Sequence, residues 1–211
     1  MSARGPAIDA LLARVREAVR AQAVTVAAVP AHTVVRRIAR DQADLASLFA
    51  AKAQSVGMRV TRVTDAQLDA TLAKLLESRA MTVVAMRDAS LAARANAAAG
   101  ARLAPNNNDD LLFDCEVGIT DVDCAIAESG SLVISTNGRI RNAWVTPPIH
   151  IAVVRAAQVL ADLVDLFEQR PDTLDAASTT IITGPSKTAD IEGVLVTGVH
   201  GPAEVEIVLV G

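Results

Sequence analysis

A glutamate between an apolar segment and a glycine turn is the side chain best suited to acid–base or nucleophilic chemistry. Glu128 follows the apolar residues 125–127 and precedes the turn 129–131, which has Gly130 at its centre. A carboxylate held partly out of water beside such a turn can have a raised pKa and act as a base or a nucleophile. The alternative is structural, because the same carboxylate can accept hydrogen bonds from nearby backbone N–H groups.

Two glycine-rich turns near the carboxyl terminus could surround an anionic ligand. The first reads GPSKT at residues 184–188, and the second reads GVHGP at residues 198–202. Glycine permits positive φ and lets a ligand approach the backbone closely. A helix beginning near Lys187 would offer free N–H groups to an anion, and the lysine would add a full positive charge. Asp190 and Glu192 could instead cap those N–H groups, so a self-capped helix is the alternative.

The sequence lacks the motifs of several common catalytic and cofactor sites. GPSKT departs from the phosphate loop G-x-x-x-x-G-K-[ST], and neither G-x-G-x-x-G after a strand nor G-x-S-x-G occurs. His150 and His200 flank turns and could transfer protons, but two histidines without a third ligand do not define a metal site. Cys115 and Cys124 lie nine positions apart, which fits neither a zinc pair nor an iron–sulfur motif.

Composition disfavours nucleic-acid and membrane binding. The chain is 51% hydrophobic but has no Tyr, three Phe and one Trp, so it lacks the aromatic platforms that stack on single-stranded nucleic acid. Its net charge of -4 provides no basic field for a phosphate polymer. Arginines interrupt the first twenty residues, and no stretch approaches the roughly 18 apolar residues of a membrane span. We therefore expect a soluble cytoplasmic protein.

The elements that must position these residues alternate between helix and strand. Residues 7–19 carry apolar side chains at helical spacing, so we expect an N-terminal helical extension over 1–40 and an α/β domain over 41–211. Strand, helix, strand, helix in succession favours a mostly parallel sheet with flanking helices. Loops at the carboxyl ends of its strands would then converge on one crevice. The segments expected are strands at 58–63, 81–86, 131–136, 151–154, 179–183 and 204–210, helices at 41–57, 64–78, 90–99 and 156–168, a helix or loop at 121–129, and a hairpin-type turn at 137–138.

Five segments in the carboxyl-terminal half resemble the lactate-utilisation (LUD) domain family, and most closely its lactate utilisation protein C group. Ser129 and Ser131 stand where that family commonly has Thr, and Lys187 stands where it commonly has Arg. The matching segments are GIT at 118–120, AIAESGSLV at 125–133, PPIHIAVV at 147–154, GPSKTADIE at 184–192 and GVHGP at 198–202.

The resemblance implies a fold similar to the NagB/RpiA/CoA-transferase group and a role in a cytoplasmic system that oxidises L-lactate to pyruvate. Iron–sulfur clusters are expected in the partner proteins, and no cofactor is expected on this chain alone. It would be an accessory or ligand-binding subunit that binds a small anionic metabolite, with self-association left open. The alternatives are a stand-alone CoA-transferase-like or phosphosugar-type enzyme using Glu128, with Lys187 as anion clamp, and a metabolite sensor.

We expect the site residues to meet at one mouth of the sheet. Glu128 is the catalytic candidate, and no metal is expected. The ligand- or anion-binding candidates are Thr120, Ser129, Gly130, Ser131, His150, Gly184, Ser186, Lys187, Thr188, Asp190, His200 and Gly201.

Overall fold

The computed structural model describes residues 6–21, 37–38, 44–104, 112–189 and 195–211. The chain divides into two compact units, Met1–Arg36 and Arg37–Gly211. The first unit contains one described helix, α1, over Pro6–Ala21, where an amphipathic helix is predicted. The predicted boundary between residues 40 and 41 lies outside the described residues. None of the described helices is both long and apolar enough to cross a bilayer.

The second unit contains six helices and eleven strands among its described residues. The helices are α2 (Leu45–Ser55), α3 (Leu68–Leu76), α4 (Ala89–Ala99), α5 (Asn142–Val145), α6 (Leu163–Gln169) and α7 (Pro171–Leu174). The strands are β1 (Arg59–Val63), β2 (Thr82–Ala85), β3 (Val117–Asp121), β4 (Cys124–Ile126), β5 (Ser131–Ser135), β6 (Ile149–Arg155), β7 (Val159–Leu160), β8 (Thr179–Ile182), β9 (Lys187–Thr188), β10 (Val196–Thr197) and β11 (Glu204–Val210).

Five strands form a parallel sheet in the order β1-β11-β6-β3-β2. A second sheet has the order β7-β4-β5-β8, in which β5 runs antiparallel to both of its neighbours. A short antiparallel hairpin joins β9 to β10. The predicted α/β architecture with a mostly parallel central sheet is therefore confirmed, and the second, mixed sheet is an addition that the sequence did not indicate.

Apolar layers cover both faces of the parallel sheet. On one face, α3 and α4 contribute buried leucines such as Leu72 and Leu91 to a core with Ile119 and Ile151 of the sheet. The other face packs against α2, α5 and the second sheet. In that core lies Trp144, which is fully buried and donates its Nε1–H to Oγ1 of Thr180 at 3.3 Å. A central sheet buried on both faces accounts for its nearly continuous apolar strands.

Local signals account for the first helices of this unit. Asp44 caps α2 by accepting a hydrogen bond from the backbone of Ser47, and Asp88 caps α4 in the same way. The predicted capping box is present, because the backbone N–H of Thr64 donates to the side chain of Gln67 at 2.9 Å. A short 3₁₀ turn over Asp65–Gln67 then leads into α3.

Four expectations for the second half are wrong. Residues 121–129 contain β4 and the end of β3, where a helix or loop is predicted. Residues 156–168 form a 3₁₀ turn, β7 and α6 rather than one helix, because Asp162 caps a new helix by accepting from the backbone of Asp165. Residues 137–138 do not close a hairpin, since β5 is followed by α5. Lys187 lies in β9 and not at a helix start.

Candidate ligand-binding site

Two of the predicted turns rest on the last turn of α2. Gly130 has φ of 70°, and a Cβ there would lie 2.3 Å from the backbone nitrogen of Ala53. Gly184 has φ of 102°, and a Cβ there would lie 2.6 Å from the carbonyl oxygen of Val56. Only glycine fits both the backbone conformation and the close approach. The end of α2 thus brings the turns 128–131 and 183–186 together.

Three hydroxyl groups lie in line between these turns. The Oγ atoms of Ser129 and Ser131 are 2.7 Å apart, and Oγ of Ser131 is also 2.7 Å from Oγ1 of Thr183. Ser131 is buried, whereas Ser129 is half-buried and Thr183 is exposed. We call these three residues the hydroxyl cluster. Because each hydroxyl can donate or accept, the outer two can serve either a carboxylate or a hydroxyl of a ligand.

The two glycine-rich loops also lie against each other, as the expected shared site requires. Ser186 donates its backbone N–H to the carbonyl of Pro202 and accepts from the N–H of Gly198, each at 2.9 Å. A Cβ at Gly201 would lie 3.2 Å from Cβ of Ser186. This contact places the GVHGP loop beside the turn that follows Thr183. Thr188 is half-buried opposite Val196, whereas Lys187 and His200 are exposed. Asp190 lies outside the described residues.

Lys187 and Thr188 form β9, which pairs with residues 196–197 of β10. GPSKT is therefore followed by a strand and not by the expected helix. The anion would have to be held by Lys187 and by the surrounding hydroxyls and not by a helix dipole.

Glu128 is exposed at the rim of the same region. Its backbone N–H donates to the carbonyl of Ala161 at 3.0 Å, which fixes the turn against the start of α6. The neighbouring Arg37 forms an ion pair with Asp162 at 2.6 Å and another with Asp165. The pKa of Arg37 is raised, chiefly by its hydrogen bond to Asp162 and in smaller part by the negative charge of Glu128. Arg37 is therefore close enough to Glu128 to interact electrostatically, and no local sequence signal marked it.

His150 and Thr120 do not lie at a mouth of the sheet. Both side chains are fully buried, and Nε2 of His150 is 2.9 Å from Oγ1 of Thr120. Burial lowers the pKa of His150 to about 4. The imidazole is therefore neutral near pH 7. Its full burial and its contact with Thr120 of β3 are those of a core residue. The expectation that His150 contributes to a surface site is not supported by this geometry.

The expected convergence at the carboxyl ends of the strands is wrong. Residues 147–150 and 198–202 immediately precede β6 and β11 or begin them, so they lie at the amino ends of these parallel strands. Thr120 lies toward the opposite end of the adjacent strand β3. The turns that do meet are joined through α2 and through the backbone of Ser186.

The carboxyl end of β3 instead holds a buried ionic network. Arg139 donates to Asp121 at 2.6 Å and to Asp123 at 3.1 Å, and all three side chains are buried. Arg87 pairs with Asp123 at 3.1 Å, and its backbone N–H donates to Asp121. Charges buried in this way are usually paired, as they are here. Since the cations come from distant positions, sequence spacing did not reveal the network.

Neither cysteine is placed for metal binding or nucleophilic chemistry. Neither thiol forms a disulfide and both are buried. Desolvation raises the pKa of Cys115 and raises that of Cys124 to about 12. Among the described residues, no group of three His, Cys, Asp or Glu side chains could hold a metal ion.

Comparisons with known proteins now identify the family. Lactate utilization protein C from Exiguobacterium sp. is 37% identical over 113 residues, covering 50% of this chain and 49% of that protein. The protein of the same name from Geobacillus sp. is 35% identical over 113 residues, covering 51% and 47%. The chain therefore spans about half the length of the curated relatives it matches.

A solved structure shows the same fold. The crystal structure of a DUF162 family protein from Deinococcus radiodurans superposes with a TM-score of 0.59 at 19% identity, covering 82% of this chain and 99% of that one. The sequence profile described as the LUD domain matches residues 46–210, which include the parallel sheet, the mixed sheet and the hydroxyl cluster. The chain belongs to the LUD domain family.

Proposed function

We propose that this protein acts in cytoplasmic L-lactate utilisation as a subunit that binds a small carboxylic acid. The observation that carries the proposal is the hydroxyl cluster of Ser129, Ser131 and Thr183, with consecutive oxygens 2.7 Å apart. It lies within the part of the chain that matches the LUD domain, and relatives of this chain are named lactate utilization protein C.

The chemistry of the hydroxyl cluster suits a 2-hydroxy or 2-oxo acid. The buried hydroxyl of Ser131 has two hydrogen-bond partners, Ser129 and Thr183. One of these two hydroxyls can therefore turn toward a ligand while the Ser131 oxygen keeps a partner. Hydroxyls donate to a carboxylate, and they accept from the 2-hydroxyl of lactate. Lys187 follows on the adjoining hairpin and is exposed, which suits a cation that attracts the acid.

In this proposal, partner proteins supply the redox centres. Conversion of L-lactate to pyruvate releases two electrons and two protons, and the described residues include no group of three His, Cys, Asp or Glu side chains that could hold a metal ion. We propose that iron–sulfur partner proteins accept the electrons, while this chain binds and presents the acid or its product. We propose that Glu128, which is exposed and directly precedes Ser129 of the hydroxyl cluster, receives a proton.

Binding to the isolated chain tests the proposal directly. Isothermal titration calorimetry with L-lactate and pyruvate should show saturable binding that Ser131→Ala weakens by about tenfold, since it interrupts the hydroxyl cluster. Thr71→Ala is the matched control and should leave binding unchanged, because the Thr71 hydroxyl donates to the carbonyl of Gln67 at the start of α3, outside the hydroxyl cluster. Equal loss in both variants, or no binding of either acid, would contradict the assignment of the site.

The role in lactate utilisation is tested in the cell. Deletion of the gene should abolish growth on L-lactate but not on glucose, and the wild-type chain should restore it. Affinity purification from lactate-grown cells should recover iron–sulfur proteins together with this chain. Normal growth of the deletion strain on L-lactate would exclude the role, whatever the isolated chain binds.

The exposure of Glu128 favours a second candidate, a stand-alone CoA-transferase-like enzyme. An accessible carboxylate beside a glycine turn can attack a thioester, forming an acyl–glutamyl anhydride and releasing the CoA thiolate. Incubation with a panel of acyl-CoA thioesters, followed by intact-mass measurement, would reveal that anhydride or the glutamyl–CoA thioester that forms when the CoA thiolate attacks it and releases the free acid. The Glu128→Gln variant should form neither. Absence of any adduct in the wild-type chain would remove this candidate.

A further inference from the structure

A groove runs along the free edge of the parallel sheet, between β1 and α3. Its volume is 640 Å³, and its walls include Thr61, Arg62 and Val63 of β1 and Lys74 and Leu75 of α3. Within the described part of the chain, β1 pairs with β11 on one side only. An edge strand presents unpaired backbone N–H and C=O groups, which are a template for pairing with another chain.

A second depression adjoins the groove at the carboxyl end of β1. It has a volume of 280 Å³, shares Arg62, Val63 and Gln67 with the groove, and extends over the neighbouring end of β11 at Leu209 and Gly211. The five residues of β1 span about 17 Å in extended conformation. A groove that follows an edge strand fits an extended peptide better than a compact metabolite, because the peptide can also pair with the strand's backbone.

The groove is also positively charged. Its lining cations are Arg62, Lys74 and Arg79, and among the residues that the structure describes no carboxylate lines either depression. The acidic side chains that flank α3 point elsewhere, since Asp65 and Asp69 pair with Arg94 at 3.0 and 2.5 Å.

The three cations differ in how far they are already engaged. Arg79 lies 3.5 Å from Glu116 and 3.9 Å from Glu204. Arg62 donates to the hydroxyl of Ser47 at 2.8 Å and also interacts with Asp44, whose pKa is lowered chiefly by the Ser47 hydroxyl and in smaller part by Arg62. Lys74 is exposed. Lys74 is therefore the least engaged of the three, and together with the partly engaged Arg62 it favours an acidic occupant.

We propose that β1 is a docking strand, to which an extended acidic segment of a partner polypeptide adds as the sixth strand of the parallel sheet. Backbone hydrogen bonds to β1 would supply affinity, and acidic side chains facing Arg62 and Lys74 would supply specificity. A second copy of this chain fits less well, because its own β1 (RVTRV) carries two arginines and no carboxylate to face the cations of the groove.

Peptide selection on the full chain tests the proposal. A displayed library of random nine-residue peptides should yield sequences in which Asp or Glu alternates with β-branched residues. The strongest peptide, synthesised with a fluorophore, should bind the double variant Arg62→Glu/Lys74→Glu at least about tenfold more weakly than the wild type. Arg141→Glu, a reversal of an exposed arginine outside the groove, should change the affinity by less than about twofold.

Two further measurements distinguish strand addition from charge attraction alone. Hydrogen exchange of the amides in residues 59–63 should slow when the peptide binds, and backbone N-methylation of the peptide should abolish binding. If the double variant fails to fold, Lys74→Glu alone serves, because Lys74 is exposed.

The proposal is overturned if selection yields no acidic peptides, if charge reversal leaves binding unchanged, or if the exchange of residues 59–63 is unaffected. It is also overturned if the N-methylated peptide binds as well as its parent. Concentration-dependent dimerisation that protects the same amides would assign the groove to a second copy of the chain instead.

Discussion

The imidazole Nε2 of His150 lies 2.9 Å from the hydroxyl oxygen of Thr120, and both side chains are completely buried on neighbouring strands β6 and β3. The other ring nitrogen, Nδ1, has no hydrogen-bond partner among the described residues. Desolvation disfavours the imidazolium form, which lowers the pKa of His150 to about 4 from an ordinary value of 6.5. The folded protein therefore holds a neutral histidine in its core.

This burial predicts that part of the stability is lost in mild acid. Below about pH 6.5 the unfolded chain binds a proton at His150 that the folded chain does not bind, so the free energy of unfolding falls as the pH is lowered toward 4. The expected contribution reaches about 3 kcal/mol. Urea denaturation across this range should show a shallower pH dependence for His150→Gln than for the wild type.

Two comparisons make this prediction specific to the imidazole. The carboxylates titrate in both proteins, so the difference between the two curves isolates His150. Thr120→Val keeps the histidine and should retain the pH dependence, although it should lower the stability by about 1–3 kcal/mol by leaving Nε2 unsatisfied. Parallel curves for wild type and His150→Gln would show that the histidine is protonated in the folded state.

A second prediction concerns Gly118, whose importance is steric. A Cβ at this position would lie 1.7 Å from the carbonyl oxygen of Ala143 and 3.2 Å from Cγ of Pro147. Gly118→Ala must therefore displace α5, and we expect a loss of about 3 kcal/mol or more in the free energy of unfolding. Gly100→Ala is the control for backbone strain without a clash, because it meets no atom within 4 Å and should cost about 1–3 kcal/mol for its positive φ. Thermal unfolding of the two variants measures the difference, and similar losses would contradict the packing described for α5.

The ionic network at the end of β3 predicts a large effect from one substitution. Arg139→Leu leaves Asp121 and Asp123 buried without their closest cation, so we expect a loss of about 3–5 kcal/mol. Arg94→Leu removes an arginine whose partners, Asp65 and Asp69, are exposed, and it should cost about 1 kcal/mol or less. Chemical denaturation of both variants provides the measurement. If Arg139→Leu were as mild as Arg94→Leu, the carboxylates would have to be solvated or protonated in the native state.

The buried thiols give a prediction that needs no variant. Cys115 and Cys124 have raised pKa values and are shielded from solvent, so neither should react with a disulfide reagent in the native protein at neutral pH. Both should react promptly after unfolding in guanidinium chloride. Rapid stoichiometric labelling of the native chain would show that one thiol is accessible.

The first half of the α/β domain could be predicted because its elements carry their own boundary signals. Thr64 and Gln67 form the capping box that the spacing indicates, and Gly57 and Gly100 adopt positive φ where α2 and α4 end. The second half could not be predicted as well. Val159 and Leu160 have the spacing of a helix face, yet they pair with β4, since tertiary contacts override a short periodic pattern.

The candidate site shows the same division between local and distant information. Glycines at 130 and 184 indicated sharp turns from sequence alone, and both turns are present with positive φ. A loop lies at the amino or the carboxyl end of the sheet according to whether it precedes or follows its strand. The loops at 147–150 and 198–202 precede β6 and β11, so the expected crevice at the carboxyl ends did not form from them. Asp121 and Asp123 obscured the strand signal of residues 121–126, because aspartate is rare in strands. They are tolerated there because Arg139, from a later part of the chain, pairs with both.

Trp144 gives the protein an intrinsic optical probe at one defined place. The chain has one Trp and no Tyr, so its near-ultraviolet emission originates almost entirely from this indole. The ring lies in the core beneath the parallel sheet, and its N–H reaches Thr180 of the mixed sheet. Trp144 fluorescence therefore reports on the contact between the two sheets without an added label. A red shift of its emission maximum would indicate that this contact has opened and that the indole has become exposed to water.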